Sequence, residues 1–209
     1  MRHVLPLCLL LVLGCGADDS ASKKPSHAWP PEVGKPYPDL ALVDQTGQRV
    51  SLSSFKGRIL LIEPIGMNCA ACQAFAGGNR TEIGPYEGVS PQADLQSIEE
   101  YLPKYADGVK LDDKRIVYVQ LLLYSMSMAA PTAEDAKAWA EHFKMDRSKD
   151  RLVLAGETYL IVDASYNMIP GFQLVNEEFV LVSDSSGHNP KDNLYTKLLP
   201  ELGKLLAKK

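Results

Sequence analysis

The sequence predicts an α/β fold in which helices flank a central mixed β-sheet. Three observations carry that reading. Two nearly continuous apolar runs, residues 58–65 (RILLIEPI) and 115–124 (RIVYVQLLLY), have the pattern of strands buried on both faces. Segments of helical spacing follow each run, over residues 92–105 and 132–143. Residues 172–182 then alternate around a turn as an antiparallel hairpin. With 209 residues, 45% hydrophobic and 23% charged, the chain can bury one core, which excludes a disordered chain and a disulfide-stapled miniprotein.

The elements follow in order. Residues 39–43 form a short apolar strand, Asp44 to Gly47 a turn, and residues 49–52 a returning strand, making an N-terminal hairpin. Residues 53–57 (SSFKG) punctuate the chain before the first central strand, and a C-x-x-C pair, Cys69 and Cys72, comes directly after it. Residues 77–91 are loop-rich, and Leu95, Ile98 and Leu102 share one face of the next helix. The segment from Ser125 to Pro131 breaks the second central strand. Thr132 caps the following helix, with Asp135 three residues on. A strand is expected at 158–162. Pro170 and Gly171 lead into the closing hairpin, and Asn189-Pro190 starts a final helix whose basic end, residues 204–209, suits its negative pole. No internal repeat and no second domain is visible.

The charge balance is 22 Lys+Arg against 26 Asp+Glu, a net −4, so no basic surplus points to a nucleic-acid partner. Residues 1–14 (MRHVLPLCLLLVLG) place Arg2 before an apolar stretch too short to remain in a bilayer as a spanning helix; it suits a secretory signal. The Gly14-Cys15 junction, followed by a polar segment, resembles the lipobox of bacterial lipoproteins, in which the cysteine is acylated after cleavage. An ordinary signal peptide with a leftover thiol is the alternative. The resemblance implies a signal peptide over 1–14, a flexible tether over 15–32 and a folded domain over 33–209. It also implies lipidation at Cys15 and a periplasm-facing membrane lipoprotein; Gly16 beside that cysteine leans toward the outer membrane over the inner.

Cysteine arithmetic then sharpens. Cys8 leaves with the signal and Cys15 carries lipid, so Cys69 and Cys72 remain, in a compartment that oxidises thiols. A disulfide closing so short a loop adds little fold stability and favours redox chemistry. A metal clip or inert thiols are the alternatives.

Gly34-x-x-x-Pro38-Asp39, the Asp44 to Gly47 turn and Ser53-x-x-Lys56-Gly57 stand in the order and spacing found ahead of the central strand of membrane-tethered TlpA/ResA-type thioredoxin-like proteins and of peroxiredoxins. With the sequence strand, C-x-x-C, helix, strand, helix, proline, hairpin, helix, the chain resembles the thioredoxin-like superfamily from about residue 33 to 206. The resemblance implies a thiol–disulfide oxidoreductase acting on protein clients without a cofactor, and a monomer. Cys69, at the strand–helix junction where the helix pole favours an anion, would attack; Cys72, one turn inside, would resolve. Glu63 stands six residues before Cys69, where thioredoxins keep a buried acid that shuttles the resolving proton; a strand-end glutamate facing water is the alternative. Pro170 stands where they place a cis-proline, so the Ile169 backbone could pair with an incoming extended client; an ordinary trans turn proline is the alternative. Asn68 and Ala70-Ala71 depart from the Trp and Gly-Pro of thioredoxin, which leaves the direction of electron flow open.

Two rivals follow from the same residues. Peroxiredoxins carry P-x-x-x-[ST]-x-x-C, but here Ile62 and Gly66 occupy the Pro and Thr/Ser positions, against a peroxidase. Residues 66–72 (GMNCAAC) resemble the loop of heavy-metal-associated domains. Two thiolates suit Cu(I), with Met126 and Met128 as added soft donors. That small domain has no place for residues 33–60 or the proline hairpin. The Sco copper chaperones share the thioredoxin fold but use C-x-x-x-C with a distal histidine, a role His188 could fill. A redox-inactive binding module is the third class.

Overall fold

The computed structural model describes residues 29–208. The chain forms a hairpin of β1 (Ala41–Asp44) and β2 (Arg49–Ser51), then β3 (Ile59–Gly66) and α1 (Ala70–Phe75). After a long loop come α2 (Ile98–Tyr105), β4 (Ile116–Tyr124), α3 (Ala133–His142) and β5 (Arg151–Ala155). The short α4 (Asp163–Tyr166), the hairpin β6 (Gln173–Val175) and β7 (Leu181–Asp184), and α5 (Leu199–Ala207) complete it.

One seven-stranded sheet has the order β2-β1-β5-β4-β3-β6-β7. The three middle strands run parallel, while β6, β7 and the N-terminal hairpin are antiparallel additions at the two sides. Every residue of β3 and β4 is buried, as their continuous apolar runs require. The register sets Glu63 beside Gln120, so the two polar residues of these strands meet in the interior. Trp139 of α3 is wholly buried over the sheet, and the reciprocal Thr132–Asp135 capping box fixes where its helix begins. Among the described residues no helix is long and apolar enough to cross a membrane.

Four expectations are corrected. The helix read over 92–105 begins only at Ile98, where Ser97 and Glu100 form a capping box. The residues before it are held elsewhere: Gln92 N–H donates to the Ala70 carbonyl at 3.0 Å, and the Asn79 amide reaches the carbonyls of Gln92 and Leu95. The strand expected at 158–162 is a 3-10 turn leading to α4, and the sheet is continued by β5 instead. Gly156 explains the exit from the sheet, because its N–H caps the Leu122 carbonyl at 2.8 Å and a Cβ there would lie 2.4 Å from that oxygen. The helical run that ends in α5 starts at the Asn193 cap, not at Asn189-Pro190, with a π-helical turn over Leu194–Leu198 that continues into α5; Asp192 is tied to β7 through Ser183 Oγ (2.6 Å) and the Asp184 backbone. Trp29, within the segment read as tether, packs partly buried against the core, and its indole N–H donates to Ser165 Oγ at 2.7 Å.

Candidate functional site

The site begins where β3 ends. Gly66 carries no side chain, and Cys69 Cβ and the Ile169 side chain stand 3.8 and 3.6 Å from where a Cβ would be. The chain turns there, with Met67 N–H on the Tyr124 carbonyl and Cys69 N–H on the Gly66 carbonyl, both at 2.9 Å. Cys69 is the extended N-cap of α1, and its Sγ accepts the Cys72 backbone N–H at 3.1 Å. The two thiols are unbonded to each other. Cys69 is half-buried and Cys72 wholly buried.

This asymmetry sets their chemistry. Donation from the Cys72 thiol holds the Cys69 pKa below the ordinary thiol value; the Cys72 and Ala71 backbone N–H groups assist, against the opposing effect of burial. Cys72 is pushed well up, first by burial, then by donating to Cys69 and by the charges of Cys69 and Glu63. The result is one thiol biased toward thiolate and one held toward its protonated form.

Glu63 lies behind the pair with no solvent exposure, so the water-facing reading of this residue does not hold. Burial pushes its pKa up to about 8, opposed by hydrogen bonds from Tyr118 and Gln120, while the Cys69 charge raises it further. The Tyr118 hydroxyl and Gln120 Nε2 (3.0 Å) both donate to Oε2, whereas Oε1 is buried without a partner. Trp139 Nε1, which can only donate, holds Gln120 Oε1 at 2.9 Å and so turns the amide nitrogen toward Glu63.

The proline loop closes the site from the other side. The Ile169-Pro170 bond is cis. Gly187 donates to the Pro170 carbonyl at 2.7 Å with φ of +87°, and a Cβ on it would lie 2.1 Å from the Asn167 carbonyl oxygen, so only glycine fits this contact. Between Cys69 and Pro170 opens a cleft of about 290 Å³, walled by Tyr124, Met128, Tyr166 and His188. Among the described residues no Lys, Arg, Asp or Glu lines it. The Ile169 N–H already donates to the Tyr166 carbonyl at 3.2 Å; among the described residues no donor reaches the Ile169 carbonyl.

The copper donor set is only partly assembled. His188 and Met128 line the cleft with Cys69, but Cys72 lies beneath it, and among the described residues no group of three His, Cys, Asp or Glu is close enough to hold a metal ion. Met126 packs against the core, and Met128 Sδ accepts the Asn68 amide at 3.2 Å. Cys15 and the signal segment lie outside the described residues.

Sequence reasoning missed the partners of Glu63, namely Tyr118, Gln120 and Trp139. A glutamine inside an apolar strand was the available signal, since such a side chain needs buried partners. It also missed Gln73, wholly buried one residue after Cys72, whose amide joins the Met67 carbonyl to both backbone groups of Tyr86 and pins the long loop to the site.

No family model matches the chain, and no curated protein matches it in sequence. Solved structures do match in shape. A protein from Bacteroides thetaiotaomicron, provisionally assigned as a protein disulfide isomerase, is 13% identical with a TM-score of 0.53 over 85% of this chain and 92% of its own. A protein from Aquifex aeolicus VF5, provisionally assigned to electron transport, is 18% identical with a TM-score of 0.53, over 85% and 100%. A SCO1/SenC family lipoprotein from Bacillus anthracis str. Ames is 17% identical with a TM-score of 0.51, over 84% and 99%. Such identities speak to architecture alone, and with the strand order and proline loop described above they give this chain a thioredoxin-like fold.

Proposed function

We propose that the chain is an exported thiol–disulfide oxidoreductase, lipid-anchored through Cys15, that exchanges its Cys69–Cys72 pair with protein clients. One observation carries the reading: two free cysteines one helical turn apart, Cys69 half-exposed at the mouth of the cleft with its Sγ on the Cys72 N–H and biased toward thiolate, and Cys72 buried and held toward its protonated form. The Cys69 thiolate attacks one sulfur of a client disulfide; a Cys69–client bond forms and the first client thiolate leaves. In the molecules whose Glu63 is ionised, a fraction that grows as pH approaches its raised pKa of about 8, Cys72 then loses its proton to that carboxylate and attacks Cys69 Sγ. The second client thiolate leaves, the client has gained two electrons, and the pair has become a disulfide. The reverse sequence oxidises a dithiol client. The electron pair resides on sulfur throughout, so no cofactor takes part.

The test is a trap. Full-length Cys72→Ser incubated with a disulfide client should accumulate a mixed disulfide through Cys69 on a non-reducing gel. Absence of that band, with turnover retained in Cys69→Ser, refutes the roles. For the anchor, globomycin should leave a larger precursor, and Cys15→Ala should abolish lipid labelling; an unchanged product defeats it.

A second reading, Cu(I) transfer, draws on Met128 and His188 beside Cys69 in one cleft. It requires Cu(I) binding that weakens on His188→Ala, and a chain that binds no Cu(I) removes it. Loss of both activities would leave the redox-inactive module.

A further inference from the structure

The mechanism above parks a proton on Glu63 at the moment a client covers the cleft. Glu63 is wholly buried, so while the client stays docked that proton can reach solvent only through the protein. A second cavity, of about 320 Å³, lies elsewhere in the protein and shares no lining residue with the cleft. Its wall includes Tyr118, with Arg151, Glu99 and Lys144 among the polar groups around it. Tyr118 is also the residue whose hydroxyl donates to Glu63.

We infer that Tyr118 relays the proton from Glu63 to this second cavity, so that protons leave by a route the docked client does not block. The inference rests on the oxidoreductase reading. The orientation is built in. Gln120 Nε2 donates to Tyr118 Oη at 2.9 Å and to Glu63 Oε2 at 3.0 Å, and Trp139 prevents the amide from turning over. Tyr118 Oη therefore accepts from Gln120 and has its own proton aimed at the carboxylate. Once Glu63 is protonated the bond between them reverses: Glu63 donates to Tyr118 Oη, and the tyrosine passes its hydroxyl proton to a solvent base in the cavity. One proton enters the relay from Cys72 and one leaves to solvent, and Tyr118 carries no net charge before or after.

Ionisable groups flank the relay at both ends, and Arg80, Glu99, Lys144, Asp146, Lys149 and Arg151 line the cavity. Cys69 and Cys72 act on Glu63 from the α1 side, and Tyr118 acts from β4. Arg151 acts on Tyr118 from β5, where the two are register partners and the arginine is paired with Glu99. Arg151 Nε is buried with no hydrogen-bond partner among the described residues.

The experiment times closure of the Cys69–Cys72 disulfide from a preformed Cys69 mixed disulfide, in the full chain and across the neutral to alkaline range. Tyr118→Phe should slow closure about tenfold or more and move its pH midpoint, while Cys69 alkylation in the reduced protein keeps the wild-type rate. In Glu63→Gln the same substitution should cause no further slowing, because Tyr118 acts only through Glu63. Should Tyr118→Phe fail to fold, the wild-type protein still decides: its pH midpoint of closure should be the same for glutathione and for a bulky protein client. An unchanged rate and midpoint in Tyr118→Phe, further slowing in the double variant, or a midpoint that moves with client size each overturns the relay. A wild-type chain that never closes the disulfide overturns the oxidoreductase reading instead.

Discussion

The two sides of the Cys69–Cys72 pair are built on opposite plans. Toward the proline loop, Cys69 meets an open cleft with largely apolar and aromatic walls and, among the described residues, no carboxylate or ammonium. Toward the sheet, Cys72 meets Glu63, Tyr118, Gln120 and Trp139, a buried polar cluster with fixed hydrogen-bond directions. The first side suits an exchanging sulfur, which needs access and little else. The second suits proton handling, which needs burial and orientation. Two residues, Ala70 and Ala71, separate the two tasks.

Breaking the open side should have the largest effect. Cys69→Ala should lower turnover by about three orders of magnitude or more, as loss of an attacking nucleophile does. Because the side chain is half-exposed, thermal unfolding should barely change; an assay of insulin reduction beside a melting curve checks both. Gly187→Ala strikes the proline loop itself, where positive φ and the Asn167 carbonyl exclude a Cβ. A destabilisation of about 2–4 kcal/mol is expected by denaturant titration, with weaker client binding in the surviving fold.

On the buried side, Glu63→Gln should slow closure of the disulfide by about a hundredfold while the protein stays folded. The same variant isolates a stability effect. The folded pKa of Glu63 is raised, so the native state binds the proton more tightly than the unfolded chain. Its contribution is complete below the ordinary value of 4.5 and is lost as pH rises toward about 8. Wild-type stability should therefore fall relative to Glu63→Gln by up to about 1.4 kcal/mol per pH unit across that window. Parallel stability curves would show that the carboxylate is not held protonated. A smaller effect sharpens the contrast between the thiols: Cys72→Ala removes the thiol donor, so the Cys69 pKa should rise toward the ordinary value, read as slower iodoacetamide labelling near neutral pH. Smallest is Thr132→Ala, which removes the cap of the helix that carries Trp139 and should cost about 1 kcal/mol.

Much of this architecture is legible in the sequence because its signals are local. The runs ILLI and IVYV mark buried strands, Thr132 with Asp135 marks a helix start, and Cys69 and Cys72 sit at a strand–helix junction by spacing alone. Glu63 is visible as an acid inside an apolar run, and its burial follows from the register of β3. What escaped depends on contacts distant in sequence. The strand expected at 158–162 has the right residue types, but Gly156 turns the chain out of the sheet first. The helix expected from Asn189 is delayed by the tie of Asp192 to β7. The polar cluster needs Tyr118, Gln120 and Trp139 on two elements to converge on Glu63, and Gln73 grips Tyr86 across a loop. Periodicity cannot report such pairings.

The most direct test is a redox titration of the full chain in graded glutathione buffers, quenched with acid and read by alkylation and mass spectrometry. The account predicts one two-electron transition in which Cys69 and Cys72 become protected together, with the loss of two hydrogens. Both cysteines remaining open to alkylation throughout, or Cys69 protected while Cys72 stays reactive, would contradict it.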